Sequence, residues 1–171
     1  MVSRRAASLA GYLPAPTKDH VMEPCPDLDK PKILILATVS GGYAGADAVG
    51  QLHADYPNNT YILPVICPSM FSEDFYLRIF KRGIDGVIVM YSGTDSPYKG
   101  GPERAAELIN KTYPVMKEHG IDTRRLKLAA ICTVCTKPFL KEVNQMETLL
   151  EEIGFVKEEM AAFKDQPPVP A

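Results

Sequence analysis

Four short apolar runs that alternate with segments of helical pattern predict an α/β fold. Each run is rich in β-branched and other apolar residues, which is typical of strands covered on both faces. The runs are Ile33–Val39, Tyr61–Ile66, Gly86–Tyr91 and Leu126–Ile131. Because strand–helix alternation with short links gives right-handed crossovers, the sequence predicts a small doubly wound parallel sheet of about four strands, of flavodoxin-like character.

Helix start and stop signals lie between the first three runs. We expect the first helix over residues 44–56, since Pro57 follows it. The second helix is expected after Ser72, whose side-chain oxygen we predict to cap the free N–H groups of the first turn. Gly83 follows basic residues at the predicted end of that helix, as is common at helix C-termini.

Two longer helices are expected in the second half of the chain. One is predicted over residues 102–119, because proline suits the first helical turn and Pro102 stands there. The other begins near Pro138 and carries apolar residues at spacings of three and four, which form one buried stripe. These residues are Leu140, Val143, Met146, Leu150 and Ile153. Residues 155–163 are expected to extend this helix or to form a short extra one.

Proline-rich segments flank the alternating region. Proline fixes φ and lacks a backbone donor, so the segment with Pro14, Pro16, Pro24 and Pro26 is predicted to be extended. The sequence therefore predicts an extended docking arm over 1–30, an α/β domain over 31–154 and a C-terminal tail over 155–171.

Composition excludes several classes of function. The chain has 171 residues, 19 basic and 21 acidic, with a formal net charge of -2. No basic face is visible, so we expect no nucleic-acid partner. The apolar runs are far shorter than the roughly 18–20 residues of a membrane helix, so we expect no membrane span. Four cysteines in this length do not resemble a secreted disulfide scaffold, and we expect a reducing cytoplasm.

Three of the four cysteines follow predicted strands. Cys67 follows the second run, and Cys132 and Cys135 follow the fourth. Ligands and cofactors of parallel sheets bind at the carboxyl ends of the strands. The sequence therefore places these thiols at the edge where function is expected.

The Cys132-x-x-Cys135 spacing leaves three interpretations open. A helix N-terminus lowers the pKa of a nearby thiol, so the pair could be a reactive dithiol. Two thiolates at this spacing could also bind a metal or part of an iron–sulfur cluster. Their apolar neighbours fit two buried structural cysteines equally well. Together with Cys67, and with Cys25 in the arm, they number the four thiols of one [2Fe–2S] cluster.

The loop after the first run is a second candidate site. Ser40–Gly45 contains three glycines and precedes a predicted helix N-terminus, where free N–H groups favour an anion. FMN or another phosphorylated ligand is one interpretation. The other is a tight turn that requires small residues, since the loop matches no standard phosphate-binding motif.

Short strings along the predicted domain resemble one known family. They are Tyr43-Ala44-Gly45-Ala46-Asp47, Val65-Ile66-Cys67, Gly83-Ile84-Asp85-Gly86-Val87, Gly120-Ile121-Asp122 and Arg125-Leu126. Over about residues 31–154 the chain resembles the delta subunit family of methyl-viologen-reducing hydrogenase. The resemblance implies an iron–sulfur subunit with one [2Fe–2S] cluster. Such a subunit passes electrons between a hydrogenase, or another oxidoreductase, and the flavin-bearing subunit of a heterodisulfide-reductase-like complex.

The chain departs from this family at its cluster cysteines. The resemblance implies cysteines in the first loop, after the second strand and in the third loop. Those positions hold Ala37, Thr38, Gly41, Cys67, Ser92 and Ser96. Serine is a poor substitute for a soft thiolate on iron, so the usual ligand set is not present.

Two interpretations follow from the missing ligands. Either the cluster was lost and the domain persists as an adaptor, or it was rebuilt from Cys67, Cys132 and Cys135 with Cys25 as the fourth ligand. We expect an accessory subunit, not catalytic alone, of a cytoplasmic heterodisulfide-reductase-like or hydrogenase-like redox complex. Two partners are expected: one is a flavin-bearing heterodisulfide-reductase-like subunit, and the other is a further oxidoreductase subunit. The alternatives are an FMN- or phosphate-binding flavodoxin-like module and a C-x-x-C dithiol redox protein.

Overall fold

The computed structural model describes residues 30–93, 96–132 and 135–164. The predicted arm over 1–30 therefore lies outside the described residues except for Lys30. The elements are β1 (Ile33–Thr38), α1 (Gly42–Gln51), β2 (Thr60–Val65), α2 (Glu73–Lys81), β3 (Gly86–Tyr91), α3 (Gly101–Glu118), β4 (Leu126–Ala130), α4 (Thr136–Ile153) and α5 (Val156–Lys164).

The four strands form one parallel sheet in the order β2-β1-β3-β4. Ile33 at the start of β1 is aligned with Thr60 of β2 and Gly86 of β3, so the strands begin nearly level. The predicted doubly wound α/β fold is confirmed. The carboxyl ends of all four strands meet at one edge of the sheet, called the carboxyl edge below, and the opposite side is the amino edge.

Two apolar layers cover the sheet. On one face α1 and α4 pack on the sheet, and the predicted stripe of α4 supplies Val143, Met146 and Leu150 to this layer. On the other face lie α2, α3 and α5, with Tyr76, Phe80 and other large side chains fully buried. Because β1 and β3 are covered on both faces, their sequences are almost continuously apolar.

The edge strand β2 differs from the other strands. Tyr61 and Leu63 are exposed, and Pro64 interrupts the strand. The N–H groups of Ile33 and Val39 bond to the carbonyls of Asn59 and Val65, which puts Pro64 among the residues facing away from β1. A proline at such an outward position costs no ladder hydrogen bond, as edge strands allow.

One helix end and one helix cap differ from the sequence-based expectations. The first helix ends at Gln51 and not near residue 56, because His53 adopts a left-handed conformation with φ of +49°. At the start of α2, Ser72 occupies the N-cap position, but its hydroxyl makes no capping hydrogen bond within the described chain. Glu73 and Asp74 instead favour the positive end of the helix dipole.

A buried carboxylate joins three segments at the amino edge. Asp85, which is 3 % exposed, accepts a hydrogen bond from the Lys32 N–H at 2.8 Å. Its other oxygen accepts the N–H of Val156, the first residue of α5, at 2.9 Å. The start of β1, the start of β3 and the start of α5 are thereby held together.

Next to this carboxylate lies a fully buried arginine, Arg125, just before β4. Its Nε donates to Glu159 of α5 at 2.7 Å, and its Nη1 donates to the carbonyls of Asp85 and Gly154. A guanidinium in this position is stable only because each of these acceptors faces it. Residues 156–164, within the segment predicted as a tail, thus form a helix packed on the domain.

The first prediction concerns Arg125. Replacing it by methionine keeps an apolar stem but removes the guanidinium, which leaves the Glu159 carboxylate and three carbonyls, those of Asp85, Ile153 and Gly154, without their donor. We expect Arg125→Met to lower the free energy of unfolding by about 3 kcal/mol. Urea denaturation followed by circular dichroism measures the change. The neighbouring Arg124 is exposed, so Arg124→Met is the control and should change stability far less. Equal losses would contradict a central role for the buried residue.

The second prediction concerns two tyrosine hydroxyls. Burial raises the pKa of Tyr76 well above its ordinary value of 10.0, and its hydroxyl has no hydrogen-bond partner among the described residues. Removing an unpartnered buried hydroxyl stabilises a fold, so we expect Tyr76→Phe to add about 1 kcal/mol at pH 7. The Tyr113 hydroxyl donates to the Leu126 carbonyl at 3.2 Å. Tyr113→Phe should therefore cost about 1 kcal/mol.

The effect of Tyr76→Phe on stability is expected to depend on pH. The raised pKa of Tyr76 means that the unfolded chain releases its proton before the folded chain does. The parent protein therefore loses stability as the pH rises above about 10, and Tyr76→Phe lacks that contribution to the loss. Urea midpoints at about pH 7 and about pH 10.5 measure the difference between the two proteins. We expect the difference between the two urea midpoints to widen at the higher pH. A difference that narrows would contradict the burial of a neutral Tyr76 hydroxyl.

Candidate functional site

The candidate site lies at the carboxyl edge between β1 and β3. These strands are neighbours, but the chain leaves β1 toward β2 on one side and β3 toward β4 on the other. The two following loops therefore diverge and open a crevice. In open α/β sheets this point of divergence is where ligands bind.

A small pocket occupies this crevice. It is lined by the ends of β1 and β3, by the loops that follow β1, β2 and β3, and by the first turn of α3. The lining residues are Thr38, Ser40, Ile66, Cys67, Pro68, Tyr91, Ser92, Ser96, Gly101 and Pro102. Three of the polar residues in this lining are Thr38, Ser92 and Ser96. They stand at positions in the first and third loops where the resemblance implies cysteines.

Hydroxyl groups are the main polar groups of the pocket. The Oγ atoms of Ser40 and Ser92 lie 3.2 Å apart and share a hydrogen bond. A Cβ atom placed on Gly101 would lie 3.1 Å from the Ser96 Oγ and 3.7 Å from the Cys67 Sγ. The single free thiol of the described chain therefore lies against the same helix start as the Ser96 hydroxyl.

Thr38 is the buried polar residue of the pocket. It is 4 % exposed, and its Oγ1 has no hydrogen-bond partner among the described residues. Such a group costs free energy unless water or a ligand satisfies it. The sequence identified Thr38 only as a position that lacks a family cysteine. The additional signal is its place as a polar residue that ends an otherwise apolar strand.

Packing explains two glycines of the first loop. A Cβ atom on Gly41 would lie 2.5 Å from the Cβ of Ser92, and one on Gly42 would lie 2.5 Å from the Cβ of Met90. These glycines are required for close approach of the loop to β3. The tight-turn interpretation of Ser40–Gly45 therefore accounts for them, and binding of FMN or phosphate there stays a prediction.

The structure separates the predicted cluster cysteines into two kinds. Cys132 and Cys135 are joined by a disulfide bond, with their Cα atoms 5.2 Å apart. Cys67 is free and partly buried, and its Sγ lies 3.0 Å from the Ser69 Oγ. Cys25 lies outside the described residues.

The donors of the pocket do not fit an iron–sulfur cluster. A [2Fe–2S] cluster of the usual kind needs four thiolates, whereas the pocket offers one thiol, Cys67, among hydroxyls. Across the part of the chain that the structure describes, no three His, Cys, Asp or Glu residues are grouped so that they could hold a metal ion. A cluster rebuilt with Cys132, Cys135 and Cys25 stays a prediction.

Large apolar side chains, including the pocket-lining Ile66, are exposed at the carboxyl edge. Five of them lie in the segments that follow β1, β2 and β3 at the carboxyl edge, and they are between 42 and 64 % exposed. They are Val39, Tyr43, Ile66, Met70 and Tyr98. We call these five residues the docking edge. Exposed apolar groups that cluster around a recess are typical of interaction sites.

Comparison with known proteins identifies the family. The sequence model of the methyl-viologen-reducing hydrogenase delta subunit matches residues 33–154, which includes the whole sheet and the pocket. This chain belongs to that family. The resemblance carried by the short strings is thus confirmed. Several of the relatives in this family are iron–sulfur subunits by name.

Two relatives are separate hydrogenase subunits. The chain is 26 % identical over 125 residues to the vhu iron-sulfur subunit of the F420-non-reducing hydrogenase of Methanocaldococcus jannaschii, covering 72 % of this chain and 93 % of that protein. It is 30 % identical over 127 residues to the vhc iron-sulfur subunit of the F420-non-reducing hydrogenase of Methanococcus voltae, covering 73 % and 88 %.

A third relative is a much larger protein. The chain is 32 % identical over 129 residues to a subunit of the ferredoxin/F(420)H(2)-dependent CoB-CoM heterodisulfide reductase of Methanosarcina acetivorans. The match covers 75 % of this chain but only 16 % of that relative. The same domain therefore occurs in this family both alone and as one part of a longer protein. None of the described helices of this delta-family chain has the length and apolarity to cross a membrane.

Proposed function

We propose that this chain is a non-catalytic subunit of a cytoplasmic redox complex of the heterodisulfide reductase or hydrogenase type, where it acts as a docking adaptor. The observation that carries the proposal is the docking edge. Its apolar side chains lie at the same edge of the sheet as a pocket in which three of the expected thiolate positions hold hydroxyl residues. An interaction surface without a matching cluster site favours binding over catalysis.

The composition of the docking edge supports a protein partner. Tyrosine and methionine are enriched in the cores of protein interfaces, and Tyr43, Tyr98 and Met70 are all exposed here. Tyrosine in particular buries a large area at little cost in conformational freedom when it meets a partner. Hydroxyl groups beneath them supply polar contacts without a buried charge.

The relatives support a particular partner class. In Methanosarcina acetivorans the domain is part of a longer heterodisulfide reductase chain, whereas in Methanocaldococcus jannaschii it is nearly the whole of a hydrogenase iron-sulfur subunit. A domain that is covalently joined to another in one protein has a surface suited to that neighbour. We therefore propose that the partner is a flavin-bearing heterodisulfide-reductase-like subunit, with another oxidoreductase subunit bound to the same assembly.

Electron relay is the finer form of the proposal. It requires a cluster rebuilt from Cys67, Cys132, Cys135 and Cys25, because the pocket alone lacks the thiolates. The adaptor form requires no cluster. The third prediction tests the adaptor itself, and the fourth separates the adaptor from the relay.

The third prediction places a charge on the docking edge. Ile66→Glu and Met70→Glu each introduce a carboxylate that must lose water when a partner binds, so each should weaken the complex at least about tenfold. The tagged chain is purified by affinity from the organism that encodes it. The measurement is the ratio of bound flavin to tagged chain in the purified sample. Leu52→Glu is the control, because Leu52 is 66 % exposed but lies beyond the end of α1 at the amino edge.

Three results would count against the docking proposal. The parent chain would purify alone, or Leu52→Glu would lower the flavin ratio as much as Ile66→Glu, or neither docking-edge variant would lower it. Flavin that stays with the isolated parent chain, free of other subunits, would instead support the FMN-binding alternative. Circular dichroism of each variant verifies that the domain is folded.

The fourth prediction concerns iron. We expect complex purified without oxygen to contain no iron or acid-labile sulfide that depends on this chain's cysteines. The measurement compares the parent with Cys132→Ser, since a rebuilt cluster needs that ligand. About two irons per copy of this subunit, lost in Cys132→Ser, would establish the relay and end the adaptor-only form.

A further inference from the structure

The disulfide between Cys132 and Cys135 occupies an unusual place in the fold. It follows the end of β4 at the carboxyl edge and precedes α4, an 18-residue helix whose N-cap residue is Cys135. Both cysteines are partly exposed. Because both residues are partly exposed, we expect another thiol to be able to reach the bond.

The charges around the start of α4 favour a thiolate. The first turn contains Lys137 and no acidic residue, the reverse of the usual preference for carboxylates at a helix N-terminus. No side chain from the N-cap position hydrogen-bonds to the first turn within the described part of α4. Within its own first turn, α4 therefore has no carboxylate to offset the positive end of the dipole and the lysine. A thiolate released at Cys132 or Cys135 would be stabilised there.

Backbone packing holds this segment in place. A Cβ atom on Gly45 of α1 would lie 3.2 Å from the Ile131 Cγ2, 3.7 Å from the Cys132 carbonyl and 4.0 Å from that of Cys135. The Cys135 N–H also donates to the Cys132 carbonyl at 3.2 Å. This packing and this hydrogen bond do not involve the sulfur atoms, so we expect the fold to persist when the S–S bond is broken.

We propose that Cys132 and Cys135 form a reversible two-electron redox centre that exchanges with a dithiol. One thiolate of the dithiol attacks one sulfur of the bond, and the other cysteine leaves as a thiolate. The second thiol of the dithiol then attacks the mixed disulfide and releases the first cysteine. Two electrons and two protons pass from the dithiol to the cysteines, and the dithiol becomes a disulfide.

This proposal is independent of the docking role and of the identity of the partner protein. It concerns the full chain alone, so its failure would leave the docking proposal untouched. A protein dithiol and a small dithiol share the required chemistry. The experiment therefore uses one probe of each kind.

The fifth prediction is tested in the full chain with Cys25→Ser and Cys67→Ser, so that Cys132 and Cys135 are the only cysteines left. The native protein is equilibrated with reduced and oxidised dithiothreitol in varied ratio, alkylated, and weighed by mass spectrometry. We expect each chain to carry either zero or two labels. The fraction of labelled chains should depend on the dithiothreitol ratio in the same way whether the protein starts oxidised or reduced. Faster reduction by thioredoxin than by dithiothreitol would assign a protein dithiol as the reductant. Faster reduction by dithiothreitol would assign a small dithiol.

Lysine variants test the electrostatic cause. In the reduced protein the faster thiol should be alkylated with an apparent pKa below the ordinary value of about 8.5. Lys137→Glu should slow alkylation at about pH 7 by about threefold, because it reverses a charge in the first turn. Lys141→Glu makes the same change one turn further along α4 and should slow it less, since the effect of the dipole fades within that turn.

Two results would overturn the proposal. The first is a disulfide that is reduced only when urea unfolds the chain, as a purely structural bond would be. The second is a reduced protein in which both thiols have an apparent pKa at or above the ordinary value of about 8.5, and in which Lys137→Glu and Lys141→Glu have equal effects on the rate of alkylation. Circular dichroism of the reduced chain verifies that the fold persists, so that neither result arises from unfolding.

Discussion

The rest of the structure depends on the buried guanidinium of Arg125. At the amino edge it joins the carbonyls of Asp85 and Gly154 to the carboxylate of Glu159, and Asp85 in turn receives the N–H groups of Lys32 and Val156. Through these bonds the starts of three strands, the end of α4 and the start of α5 are fixed together. A buried charge so fully paired is costly to disturb, so this edge has little freedom to change.

The carboxyl edge carries no comparable constraint within the described residues. Few side-chain hydrogen bonds join its described loops beyond those of Ser40 with Ser92 and Cys67 with Ser69, and these side chains can change without loss of the sheet. The strings that reveal the family include Gly83–Val87 and Arg125-Leu126, which belong to the amino edge. The family resemblance is therefore carried largely by residues that stabilise the fold. We place function at the other edge, where the cluster cysteines are replaced.

This division explains what could be predicted. The strands were evident from their apolar runs because β1 and β3 are buried on both faces, and the stripe of α4 from its spacing. Three features depend on contacts distant in sequence and were not accessible: the left-handed His53 that ends α1, the packing of α5 through Glu159 and Arg125, and the unpartnered hydroxyl of Thr38. The site could be placed at the carboxyl edge, since the topology fixes it. The spacing of Cys132 and Cys135 left a dithiol, cluster ligands and structural cysteines open, and it did not predict that the two are bonded to each other.

That bond constrains the chemistry of the carboxyl edge. A sulfur engaged in a disulfide has no thiolate to offer iron, so Cys132 and Cys135 cannot serve as cluster ligands and as a disulfide at the same time. The two states also differ in electron count. A [2Fe–2S] cluster passes single electrons, whereas a disulfide accepts two electrons together with two protons. On the proposal that the paired sulfurs exchange with a dithiol, this domain would pass electrons in pairs and not singly.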